Sequence, residues 1–116
     1  MLKPIRITLI ATAIALGAII VPGYAAESGF VEAIANAKTP ADHEALAQRY
    51  ESEAKELAAK AAEHKRMATS YRTMGGRTNV GYVAHCEKLS AAYDAAARED
   101  SELAKLHHQF AAQLQK

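Results

Sequence analysis

The sequence predicts an all-α fold: an antiparallel helical hairpin of two long helices with a short N-terminal helix, dimerising to a four-helix bundle. Three observations carry this. Alanine occurs 27 times in 116 residues, among dense Glu, Lys, Leu and Arg, a composition of long helices. Residues 41–73 contain no Gly or Pro, and Gly75-Gly76 then marks a stop. Apolar and small residues recur every seven positions on both sides of that stop.

The chain opens on a leader pattern. Lys3 and Arg6 give a positive start, and residues 7–21 form a 15-residue apolar stretch interrupted by Thr8, Thr12 and Gly17. Pro22 and Gly23 are expected to break any helix there. Gly23-Tyr24-Ala25 sets small residues at the third-last and last positions before a cut after Ala25. The order is that of a secretory signal peptide over residues 1–25, so the mature chain is expected to be periplasmic or secreted. A spanning helix needs about 20 apolar residues, so an uncleaved anchor is the weaker reading and no stable membrane insertion of the mature chain is expected.

Removing residues 1–25 leaves 91 residues with 12 basic and 13 acidic side chains, against a net charge of +1 for the full chain. Neither sign dominates, which disfavours nucleic acid as a partner. One cysteine excludes a disulfide scaffold, and the length excludes an enzyme with a separate substrate domain.

Within residues 26–38, the stretch 29–38 reads as a short helix with Phe30 and Ile34 on one face. The hairpin occupies residues 39–116. Thr39 can cap its first helix, Pro40 suits the first helical position, and Asp42 sits near the positive helix end. Every seventh residue from there reads His43, Tyr50, Leu57, His64, Tyr71, with Ala47, Ala54, Ala61 and Ala68 four residues after the first four. Asn79 or Thr78 can cap the second helix. Its seam is expected in two columns: Tyr82, Leu89, Ala96, Leu103, Phe110, and Cys86, Tyr93, Asp100, His107, Leu114. A short turn makes the helices antiparallel, so that Tyr71 meets Tyr82, Leu57 meets Ala96 and Tyr50 meets Leu103. A lone two-helix hairpin of this size buries little apolar surface; the expected remedies are the short N-terminal helix packing across it and pairing of two hairpins into a homodimer.

The residues with metal chemistry are His43, His64, His85, His107, His108, Cys86 and Met67. The antiparallel register sets His64 against Cys86 and His43 against His107, two clusters about 31 Å apart along the axis. Each supplies two nitrogen or sulfur ligands, and Zn²⁺ takes four, so a dimer would complete the set. His85 and His108 lie beside these pairs, and Met67 adds a thioether suited to Cu(I). The competing reading is structural: seam histidines hydrogen-bonded to neighbours, and His107-His108 placed where a cation suits a helix C-terminus. No HExxH or CxxC motif occurs, and no Glu precedes a His by three residues as in di-iron bundles. The absence of CxxCH leaves only noncovalent ligation for a haem. No oxyanion loop or third orienting group accompanies Cys86, so no enzyme is expected. Asp100 reads as a polar layer facing the Tyr50 hydroxyl.

The run TPADHEALAQRYESEAKELAAKAAEHKRMATSYR, the glycine turn, and AHCEKLSAAYDAAAREDSELAKLHHQFA resemble a group of small exported helical proteins of proteobacteria. The resemblance covers most of the mature chain and implies export and a helical hairpin, with no established activity. The architecture is also loosely similar to small periplasmic metal-binding helical proteins, which carry more histidines in their repeats. The expected function is therefore non-enzymatic binding of copper or zinc for sequestration or delivery. The alternatives are a structural or protein-interaction module of the cell envelope with incidental histidines, and a noncovalent haem-binding bundle.

Overall fold

The computed structural model describes residues 22–77 and 79–116. The apolar stretch of the expected leader lies outside the described residues. The described chain is all-helical, with α1 at Pro22–Asn36, α2 at Pro40–Met74 and α3 at Asn79–Leu114. Among the described residues no helix is long and apolar enough to cross a membrane.

The first helix is longer than the 29–38 stretch expected: α1 begins at Pro22 and runs for 15 residues, starting seven positions before Gly29. Proline is tolerated in a first turn, where its missing N–H leaves no bond unmade. The element therefore crosses the expected cut after Ala25.

The start of α2 follows its sequence signals. The Thr39 hydroxyl accepts from the Asp42 N–H at 3.1 Å, and the Asp42 carboxylate accepts from the N–H groups of Thr39 at 2.9 Å and Lys38 at 3.0 Å. This is a reciprocal capping box. Those backbone donors, Lys38 first, hold the Asp42 carboxyl below the usual carboxylate range. At the other end Gly75 and Gly76 adopt φ of 71° and 91°. A side chain at either position would strain that left-handed backbone. The Asn79 side-chain amide donates to the Gly75 carbonyl and ties the turn to the first residue of α3.

Contacts between α2 and α3 pair early residues of one with late residues of the other. His43 meets His107, Ala61 meets Ser90, and Tyr71 stacks on Tyr82 with ring centroids 5.0 Å apart. The buried residues of α2 are Leu46 and the column Ala47, Ala54, Ala61, Ala68. On α3 they are Cys86, Ala97, Ala104 and Ala111.

The α3 seam is therefore not the one expected. Its buried column lies one residue on, at Ala97, Ala104 and Ala111, continued by the half-buried Val83 and Ser90. The large members of the expected column are exposed: Tyr82 52%, Leu89 43%, Leu103 37% and Phe110 46%. Close approach is the reason. The Ser90 hydroxyl on α3 donates at 2.9 Å to the backbone carbonyl of Ala61 on α2. A side chain of two heavy atoms bridging two helix backbones leaves no room for leucine or tyrosine. The one-residue step turns the large column about 100° around the helix to the edge of the seam, where Tyr82 and Phe110 still touch Tyr71 and His43 of α2. The second expected column is partly inside: Cys86 is buried, Tyr93, Asp100 and His107 are half-buried, and Leu114 is exposed.

The first helix packs on the start of α2. The Phe30 ring lies 4.6 Å from that of Tyr50, the Arg49 guanidinium sits 4.2 Å over Phe30, and Arg49 also donates to the Gly29 carbonyl. Ile34, expected to share the packed face with Phe30, is 45% exposed.

Candidate functional site

The densest polar chemistry lies where the start of α2 meets the end of α3. His43 sits in the first turn of α2, one residue after the capping Asp42. Its Nδ1 is 3.0 Å from His107 Nδ1. The two rings are 5.2 Å apart between centroids and tilted by 24°. Tyr50 stacks against His107 at 5.6 Å, and Phe110 meets His43 edge-on at 4.7 Å. Aromatic rings thus fix both imidazoles, and two nitrogens converge on one point. A hydrogen bond between them needs one ring to carry its proton on Nδ1 and the other to leave Nδ1 bare. Burial, then the neighbouring His43 and His108, lower the pKa of His107. The neutral ring is the form that accepts a hydrogen bond or ligates a metal.

His108 does different work. Its Nδ1 lies 2.8 Å from Glu44 and its Nε2 3.0 Å from Glu51, so one imidazole clasps two carboxylates a heptad apart on α2. The bond to Glu51, assisted by Glu44, raises the His108 pKa above the usual histidine value. Both ring nitrogens are occupied, and the charged form is favoured. The sequence offered a signal for this clasp, since Glu44 and Glu51 are seven residues apart and Glu44 follows His43 just as His108 follows His107. That parallel identifies the carboxylates as facing His108.

The other expected cluster has a different geometry. The His64 ring stacks on Tyr93 at 5.5 Å, and His64 Nδ1 is buried without a hydrogen-bond partner. Cys86 is a free thiol, 7% exposed, so the chain as folded does not present it for cross-linking to a second copy. His85 and Met67 are exposed. Among the described residues no three His, Cys, Asp or Glu side chains gather to hold a metal ion. Of the seven expected ligands, the structure brings His43 and His107 into direct contact and commits His108 to carboxylates.

Near the middle of the pair, Asp100 is half-buried and its pKa is raised by that burial. The Tyr50 hydroxyl is raised by burial, then by the negative charges of Asp100 and Glu53. The Tyr50 hydroxyl therefore lies within reach of the charge of both carboxylates.

The two sides of the α2–α3 layer differ in chemistry. One side is an open groove floored by Ala54, Ala58, Ala97 and Ala104 and walled by Glu51, Lys55, Asp94, Arg98, Glu102 and Lys105. The other carries the exposed column Tyr82, Leu89, Leu103 and Phe110. Leu106 and Leu114, 60% and 44% exposed, extend the apolar surface near the C-terminus. Sequence reasoning placed this column in the seam and so missed it as a surface. Compared with known proteins, the chain matches no family model, no curated protein and no solved structure.

Proposed function

We propose that the protein is an exported, non-enzymatic helical hairpin that works by protein interaction, with the apolar column of α3 as its binding face. The observation that carries this reading is the exposure of four large apolar side chains on one heptad column of one helix, in two pairs either side of the half-buried Ala96. Scattered exposed leucines are ordinary, whereas large apolar side chains aligned along one helix face mark an interface. Export rests on the leader pattern around Lys3, Arg6 and Ala25. The test is the double variant Leu89→Glu, Leu103→Glu. Leu89 and Leu103 are 43% and 37% exposed, so helix content and cooperative unfolding should persist with a lowered thermal midpoint, while association of the purified chain is lost. Loss of cooperative unfolding in the variant would show the stripe to be core and overturn the reading.

A second reading has its own observation. His43 and His107 hold two Nδ1 atoms 3.0 Å apart. Two nitrogens bound to one tetrahedral Zn²⁺ stand about 3.3 Å apart, given zinc–nitrogen bonds of about 2.05 Å. A small opening of the pair would thus admit copper or zinc, with the remaining positions filled from solution or a second chain. His64, Cys86, His85, His108 and Met67 complete the ligand types expected from the sequence. Calorimetric titration of the purified protein with Zn²⁺ and with Cu(I) tests it. Sub-micromolar binding that His43→Ala and His107→Ala each weaken at least about tenfold supports the site. Absence of such binding in the wild type removes it.

A further inference from the structure

The α3 column that carries the exposed Tyr82, Leu89, Leu103 and Phe110, with the half-buried Ala96 at its centre, reads the same in both directions. Tyr82, Leu89, Ala96, Leu103 and Phe110 are spaced by seven, with an aromatic at each end, a leucine inside each aromatic and one alanine at the centre. From this symmetry we infer that the stripe docks on the same stripe of a second copy of this chain, the two α3 helices running antiparallel about a two-fold axis at Ala96. Leu89 then meets the partner's Leu103, Tyr82 meets the partner's Phe110, and Ala96 meets the partner's Ala96. The small central residue lets the backbones approach, and the larger residues pack on either side. The inference rests on the stripe being a binding face, and it names the occupant and the register.

Charge selects this direction over the parallel one. Lys88 and Glu102, both exposed, precede Leu89 and Leu103 by one residue and so share one flank of the stripe. Antiparallel docking sets Lys88 opposite the partner's Glu102, and symmetry repeats the pair. Parallel docking would turn this flank toward the partner's other flank, where Ser90 and Ala104 follow Leu89 and Leu103 and carry no charge. Opposite charges on such flanks choose partner and orientation in paired helices. The dimensions set the strength. The stripe runs about 42 Å along a helix about 10 Å wide, or about 400 Å² per copy. Two copies bury about 800 Å² between them, below the size of a stable interface, so the dimer is reversible and concentration-dependent.

Site-directed bridging tests the register. In a Cys86→Ala background, single cysteines are placed by Ala96→Cys, Leu89→Cys and Leu103→Cys, and a short thiol-to-thiol reagent is applied at high protein concentration. Ala96→Cys chains should bridge with one another. Leu89→Cys chains should bridge with Leu103→Cys chains when mixed. Either of the last two alone should not, because its thiols lie about 21 Å apart across the two-fold axis. Circular dichroism of each variant confirms that it folds. Bridging of Leu103→Cys alone as readily as Ala96→Cys would overturn the antiparallel register. No bridging at any position in a chain that sediments as a dimer would place the interface elsewhere and overturn the inference. A chain that stays monomeric at every concentration overturns it too, leaving the stripe as a face for another protein if the Leu89→Glu, Leu103→Glu variant stays folded. As a second readout, Lys88→Glu should weaken the dimer about fivefold, and adding Glu102→Lys to the same chain should restore it. Equal affinity in all three chains would overturn the charge pairing and, with it, the register.

Discussion

Two heptad columns of α3 stand one residue apart and meet opposite fates. Val83, Ser90, Ala97, Ala104 and Ala111 turn into the seam against α2, while Tyr82, Leu89, Leu103 and Phe110 lie at its edge, 37–52% exposed. The outward column is by far the more hydrophobic. Burial here follows size, because α2 presents its own alanine column and the helices come close enough for a serine hydroxyl on one to reach a backbone carbonyl on the other. Each buried methyl contributes only about 0.8 kcal/mol, so this seam gains from its length and from dispersion between tightly packed backbones. The large side chains keep between 37% and 52% of their surface available for another partner.

That contrast can be broken most directly by enlarging the seam. Ala61→Leu and Ala104→Leu should each cost about 1–3 kcal/mol. For a domain of this size each kcal/mol lowers the thermal midpoint by about 4–8 °C. A calorimetric scan showing either variant as stable as wild type would mean that the helices are not held at alanine distance.

Removing the Ser90 hydroxyl should cost less, about 1 kcal/mol for Ser90→Ala, since Ala61 loses a cross-helix donor but no steric fit changes. A midpoint at or above the wild-type value would show that the 2.9 Å contact adds nothing to close packing.

The open end of the seam, closed by ionisable groups, gives a smaller, pH-dependent effect. The His108 pKa is raised by Glu51 and Glu44, so the clasp stabilises the fold in full below the ordinary histidine value and is lost as pH rises through the raised one. His107 works in the opposite sense. Its pKa is lowered by burial, so its contribution is present above the ordinary value and is lost as pH falls through the lowered one. The two partly offset each other in the wild type. His108→Gln removes the first, so thermal midpoints of the variant should fall more steeply than those of wild type between about pH 7.5 and 5.5. Parallel profiles would contradict the clasp.

The smallest effect is expected on the outer column. Leu103→Ala, at a residue 37% exposed, should cost the dilute, monomeric chain about 0.5–1 kcal/mol. A loss comparable to that of Ala104→Leu would erase the distinction between the columns.

Much of this was legible in the sequence, and the exception is informative. The cap at Thr39, the glycine stop, the alanine column of α2 and the meeting of His43 with His107 all follow from local chemistry and heptad counting. Counting alone could not decide which α3 column enters the seam, because Tyr82-Val83 and Leu103-Ala104 each offer a plausible member of either column. The usual rule, that the more hydrophobic column goes inside, fails when the facing helix is paved with alanine. Of the metal-type residues of the middle, His64 stacks on Tyr93 and Cys86 is buried. The clasp of His108 was missed because Glu44 and Glu51 read as ordinary surface acids until the helix pairing sets them level with it.

The buried thiol of Cys86 gives the molecule a clock. It is the chain's one cysteine, and it lies among the small side chains where α2 and α3 meet. A thiol reagent can reach it only when the helices part, so the labelling rate of the untouched protein measures how often the seam opens. Any change that loosens the seam will be recorded there as faster chemistry at a single sulfur.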